Sequence, residues 1–124
     1  MSNTKGFRGT YTDGGSIFDA NVVVLFWEES GVHYAYSPAL DMTGYGKSEQ
    51  DAKHSFEITM KEFVEYTHHK KTLFKELQRL GWTVNVKKKR AKHPSDAELL
   101  EDNETYRELK ERPNVRVSEM AVAL

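Results

Sequence analysis

Apolar residues recur along this chain in two rhythms. Val22–Trp27 (VVVLFW) is a continuous β-branched and aromatic run, which reads as a strand buried on both faces. Glu28–Gly31 (EESG) is a turn, with Gly31 suited to a positive φ. Val32–Tyr36 (VHYAY) is a second strand, near enough to the first to make an antiparallel hairpin. Pro38 has no N–H to give to a ladder and marks the end of strand two or an edge. A short third strand is expected around Met42–Tyr45, with Gly44 and Gly46 relaxing the backbone.

The rhythm then changes. Ala52, Phe56, Met60, Phe63, Val64 and Thr67 fall at helical spacing, predicting an amphipathic helix from about Glu49 to Thr67. Ser48 is its expected N-cap, because its hydroxyl can accept from the free amides of the first turn. Glu49 and Asp51 add negative charge at the positive end. Lys53, Glu57, Lys61 and Glu65 alternate in sign along a second, solvated face. Leu73, Leu77 and Leu80 predict a shorter helix over Thr72–Leu80, stopped by Gly81. Trp82, Val84 and Val86 alternate with Thr83 and Asn85, as in a half-buried strand.

Beyond Val86 the texture is charged. Lys87, Lys88, Lys89, Arg90 and Lys92 put five cations into six residues. Pro94-Ser95 opens another short helix, with Ser95 and Glu98 matching a capping box. From Asp96 to Arg112 there are seven acidic residues against three basic ones. Val115, Val117, Met120 and Val122 predict a final strand over Val115–Val122. The fold class is α+β: a small antiparallel sheet, a long amphipathic helix packed on one face, and a C-terminal helical and strand extension. The expected division is a flexible N-terminal arm over residues 1–20 (with a short edge strand around Gly9–Thr12), an α/β domain over 21–86, and a basic linker with the extension over 87–124.

Composition narrows the function classes. The chain has 124 residues, 38% hydrophobic and 30% charged, enough for one small core. Net charge is −1, so nucleic-acid contact requires a local patch. There is no cysteine, hence no disulfide framework and no thiolate nucleophile. No apolar run is long enough to span a bilayer. The first residues, MSNTKGFRGT, lack the apolar centre of a signal peptide, which points to the cytoplasm.

The candidate chemistry is sparse. His33, His54, His68, His69 and His93 show no HxxxH or HxH spacing, so no metal site is expected. Asp41 and Glu57 are the acids nearest the strand ends and the inner helix. Without a strand-borne partner they make a poor two-metal nuclease site. No catalytic residue and no cofactor are expected. Tyr34 and Tyr36, alternating with Ala35, are candidates for a partner surface or for the core, and Asp41 is grouped with them. Lys87, Lys88, Lys89, Arg90 and Lys92 are candidate phosphate contacts, or a solvated linker.

Between the hairpin and the helix stand Gly31, Tyr34, Ala35, Pro38, Leu40, Gly44, Gly46, Ser48, Glu49, Asp51 and Ala52, in that order. In this pattern the span from Val22 to about Trp82 resembles the HicB family of antitoxins from bacterial toxin–antitoxin pairs. The resemblance covers about half the chain. It implies a partial ribonuclease-H-like fold and no catalysis. It also implies a partner, a small basic HicA-like toxin that cleaves messenger RNA, and a homodimer or larger assembly. Many members carry a C-terminal DNA-binding module, and Lys87–Leu124 departs from the usual forms. The alternatives are a self-associating structural domain, or a nucleic-acid-binding protein using the basic run at 87–92.

Overall fold

The computed structural model describes residues 18–124. Most of the arm expected over residues 1–20, with its edge strand around Gly9–Thr12, lies outside the described residues. The fold is α+β. Strand β1 (Asp19–Glu29) and strand β2 (Val32–Ser37) form the expected hairpin. Its two-residue turn has Ser30 at φ 53° and Gly31 at φ 81°, the doubly positive pair that matches the twist of a tight hairpin. β2 ends directly before Pro38, and strand β3 (Met42–Gly46) returns antiparallel beside it.

Helix α1 (Glu49–Lys70) is capped by Ser48, whose Oγ accepts from the Asp51 amide at 3.1 Å. It ends at Lys71, left-handed at φ 58°. Buried Thr67 is satisfied within the helix, its hydroxyl donating to the Phe63 carbonyl at 2.9 Å. Helix α2 (Leu73–Arg79) follows and closes at Gly81, φ 98°. Strands β4 (Thr83–Asn85) and β5 (Arg90–Lys92) form a separate two-stranded ribbon. Helices α3 (Asp96–Asp102) and α4 (Glu104–Glu111) lead to strand β6 (Arg116–Ala123).

The main sheet runs β3-β2-β1-β6, antiparallel throughout. β6 pairs with β1 from Asp19↔Ala123 to Phe26↔Arg116, and β2 pairs with the other half from Leu25 to Glu29. This double pairing extends β1 beyond the apolar run Val22–Trp27 on both sides.

The pleat sends alternate residues of β1 to opposite faces. Val22, Val24 and Phe26 join Ala35, Met120 and Val122 under Ala52, Phe56, Met60 and Val64 of α1. Each of these large side chains contributes roughly 1.5–3 kcal/mol by leaving water. Leu25 and Tyr36 face the other way, under Leu99, Tyr106 and Leu109 of α3 and α4. The continuous run VVVLFW therefore reflects a strand covered on both sides.

Gly44 and Gly46 have a different role from the one their sequence context suggests. Neither has a positive φ. A Cβ on Gly44 would lie 2.3 Å from the Phe56 amide nitrogen and 2.4 Å from the Ala52 carbonyl oxygen, and one on Gly46 would lie 2.4 Å from the Asp51 Cβ. The glycines admit the backbone of α1 against β3. Across the sheet, Phe26, Ala35 and Gly44 are register partners, so side-chain size falls toward the strand on which the helix rests.

The strand expected through Trp82–Val86 is shorter. It stops at Asn85, and Val86 is 65% exposed. The chain reverses there because Asn85 Oδ1 accepts from the Lys88 amide at 3.1 Å and Lys89 turns left-handed at φ 52°.

Candidate functional site

A cleft of about 500 Å³ opens between the β2–β3 turn, the end of α2 and the α3–α4 pair. Its geometry is built by three segments far apart in sequence. Pro38 terminates β2, and Asp41, at φ 52°, bends the chain into β3. Gly81 ends α2. Asn103 separates the two C-terminal helices as C-cap of one and N-cap of the next.

Tyr36 forms the hydrogen-bonded floor. Its hydroxyl accepts from Asn103 Nδ2 at 2.9 Å and donates to Asp41 Oδ1 at 3.4 Å. Burial raises the phenol pKa above its ordinary value. The Asn103 bond opposes that shift, and the neighbouring Asp41 charge adds to it. The hydroxyl thus stays protonated at neutral pH and serves to join the turn to α4. Asn103 Oδ1 also accepts from the Tyr106 amide at 2.9 Å. Behind the cleft wall, the buried Tyr106 hydroxyl donates to Asp96 at 2.5 Å. Burial first, then that carboxylate, pushes its pKa well upward.

The lining is strongly acidic. Asp41, Glu98, Asp102 and Glu104 border the cleft, with Arg79 as the cation among them. Arg79 is already held by Glu76, Nε to Oε1 at 3.0 Å. Glu98 completes the capping box with Ser95, and the backbone amide of Ser95 is the main reason its pKa lies below the usual value. Such a surface recognises cationic side chains by charge and hydrogen bonding.

The sequence-predicted residues separate into three places. Tyr36 and Asp41 meet in the cleft. Tyr36 is buried and Asp41 exposed. Tyr34, two residues earlier, lies outside it in an aromatic row. Trp27 and Tyr34 stack with ring centroids 5.1 Å apart, and Tyr45, 66% exposed, is the register partner of Tyr34. Trp27 Nε1 is buried without a hydrogen-bond partner among the described residues. Lys87, Lys88 and Lys89 occupy the turn of the β4–β5 ribbon, and Arg90 and Lys92 lie on its second strand.

Comparison with family models, curated proteins and solved structures returns no match to this chain. Among the described residues, no group of three or more His, Asp or Glu is placed to hold a metal ion. Asp41 contacts Tyr36 on the α3–α4 side, whereas Glu57 belongs to α1 on the opposite face, so the two acids do not share a site. His33 sits 3.7 Å from Glu28 and His93 packs edge-on to Trp82. No helix among the described residues is long and apolar enough to cross a membrane.

Sequence reasoning missed Asn103, Glu98, Asp102 and Glu104 as members of the site. One signal was available. Asn103 lies between the apolar pairs Leu99–Leu100 and Tyr106–Leu109, where a capping residue predicts a break between two helices. Nothing local connects it to Tyr36, 67 residues earlier.

Proposed function

We propose that this protein is a HicB-like antitoxin, a non-catalytic binding protein of the bacterial cytoplasm with the partial ribonuclease-H-like fold of that family. It neutralises a small basic toxin that cleaves messenger RNA by covering the toxin's active surface. The observation that supports this most is the charge of the cleft. A toxin that grips RNA must present cations to phosphate. Asp41, Glu98, Asp102 and Glu104 offer carboxylates to the same cations. Asp96 to Arg112 carries a net charge of −4, from seven acids and three bases, so the field around the cleft favours encounter with a basic partner. The ordered pattern from Pro38 to Ala52 supports the family assignment.

The test is co-expression with the small basic protein encoded beside it. Growth is rescued and the two proteins co-purify. Changing Asp41→Lys together with Glu98→Lys abolishes both effects; because Asp41 accepts from Tyr36 and Glu98 completes the capping box of α3, circular dichroism and the melting temperature check that the variant is folded. Neither rescue nor co-purification with the unaltered protein would end this reading. A second reading, a self-associating interaction domain, is favoured by the aromatic row Trp27, Tyr34 and Tyr45, in which Trp27 Nε1 has no hydrogen-bond partner among the described residues and Tyr45 is exposed. A symmetric oligomer that forms alone and persists after Asp41→Lys would favour it.

A further inference from the structure

We propose that the β4–β5 ribbon is a binding arm for duplex DNA, independent of the acidic cleft and of the antitoxin reading. The ribbon has a seated base and a charged end. At the base, Val84 and Ala91 pack against the main core beside buried Trp82. Trp82 Nε1 donates to the Ala39 carbonyl at 2.8 Å, and His93 meets its ring edge-on at 6.1 Å. At the other end, residues 85 to 90 are all exposed. The turn is set by the Asn85 side chain on the Lys88 amide and by Lys89 N–H on the Val86 carbonyl at 3.2 Å. The arm is pre-shaped, so little ordering entropy opposes binding.

Its two faces differ. Val84 and Ala91 are register partners and look inward. Thr83 pairs with Lys92 and Asn85 with Arg90, which places two cations and two hydrogen-bonding side chains side by side on the outer face. Lys87, Lys88 and Lys89 follow in the turn, all exposed. None of the five cations forms a salt bridge with a described residue, and only Lys92 has its charge felt at the cleft rim, by Glu98. Net charge is −1 with these five included, so the rest of the chain sums to −6. A polyanion is therefore attracted to the ribbon and repelled by the body, and it meets the ribbon end-on.

The chemistry selects among polyanions. The major groove of B-DNA, about 12 Å wide, admits a two-stranded ribbon, whereas the deep, narrow major groove of A-form RNA does not. Residues 83–92 contain no aromatic side chain, so the ribbon has no platform on which to stack single-stranded bases. Val86, exposed in the turn, is the apolar contact for a thymine methyl or a base step.

The experiment is fluorescence anisotropy of the full chain with a mixed-sequence duplex of about 20 base pairs, titrated at several salt concentrations. With all five cations on phosphates, log K falls against log salt with a slope of about −4.5, so raising salt from about 50 to about 200 mM weakens binding about 500-fold. Changing Lys87, Lys88 and Lys89 to Gln together flattens the slope by about 2.7, Lys88→Gln alone by about 0.9, and the triple change to Arg preserves it. Circular dichroism and the melting temperature confirm that each variant is folded. Lack of binding by the folded unaltered protein overturns the proposal. So does a slope unmoved by Lys88→Gln, or binding as tight to single-stranded RNA, poly-glutamate or anionic vesicles as to the duplex.

Discussion

The two faces of the sheet are closed by different physics. The α1 face is apolar and close-packed: Phe56, Met60 and Val64 are fully buried, and the helix backbone rests on Gly44. The α3–α4 face has a smaller apolar cluster and is tied by polar bonds, with Asn103 bridging Tyr36 to Tyr106 and Asp96 holding the Tyr106 hydroxyl. The first arrangement resists any change in spacing. The second leaves an open, charged margin, and the cleft is that margin. Hydrophobic closure leaves little there to recognise, whereas polar closure brings charged side chains to the rim.

The largest expected effect tests the close packing. Gly44→Ala places a Cβ on two backbone atoms of α1, so α1 has to lift from β3. In an open strand the same change is mildly favourable, by about 0.5–1 kcal/mol. Here overpacking dominates and stability falls by about 2 kcal/mol or more. Urea denaturation of the two proteins measures it. A neutral or stabilising result would mean that the α1 face is not closed by backbone contact, and the contrast between the faces would fail.

Much of the architecture was legible where it depended on local periodicity. The hairpin with its turn at Gly31, the Ser48 and Ser95 caps, the long apolar stripe of α1 and the final strand all follow from neighbours in sequence, although the turn is only Ser30-Gly31 and not Glu28–Gly31, because Glu28 and Glu29 still pair with β2. Gly44 was visible as a glycine, but its purpose was not, because the atoms that exclude a side chain belong to Ala52 and Phe56. The ribbon was half hidden for another reason. Its first strand shows in the alternation over Trp82–Val86, but its second has three residues, Arg90–Lys92, too few for a period of two to register, and the cations around it read as phosphate contacts or a solvated linker. Tyr36 and Asp41 were noticed together. The cleft was not, since Asn103 reaches Tyr36 across 67 residues and no spacing rule spans that distance.

A smaller effect tests the polar closure. Asn103→Ala removes the acceptor that caps α4 and the donor that holds Tyr36. Loss of the cap costs about 1 kcal/mol, and loss of the second bond about 1 kcal/mol more. A double-mutant cycle with Tyr36→Phe separates the two, with a coupling of about 1 kcal/mol assigned to the Tyr36–Asn103 bond. Additive single effects would show that Asn103 acts only as a cap, and Tyr36 would then be held to the α3–α4 pair by the apolar cluster alone.

The smallest effect is a pH dependence confined to the polar face. Tyr36 and Tyr106 both have phenol pKa values raised in the folded protein, chiefly by burial and, for Tyr106, next by the Asp96 carboxylate. In the unfolded chain each phenol loses its proton near the ordinary value of 10.0. Above that pH the folded state binds more protons than the unfolded state, so stability falls as pH rises. The contribution is fully present below pH 10.0 and is lost as pH climbs toward the raised values. Melting temperatures taken across this range should fall more steeply for the unaltered protein than for Tyr106→Phe, with Tyr36→Phe between them. The share of the tyrosinate absorbance that is missing from Tyr36→Phe and Tyr106→Phe should rise late, together with unfolding. Lysine deprotonation acts on all three proteins alike and cancels in the difference. If the three curves are parallel, the two hydroxyls titrate as solvent-exposed phenols do. The α3–α4 face would then be as open at Tyr36 and Tyr106 as it is at the cleft rim.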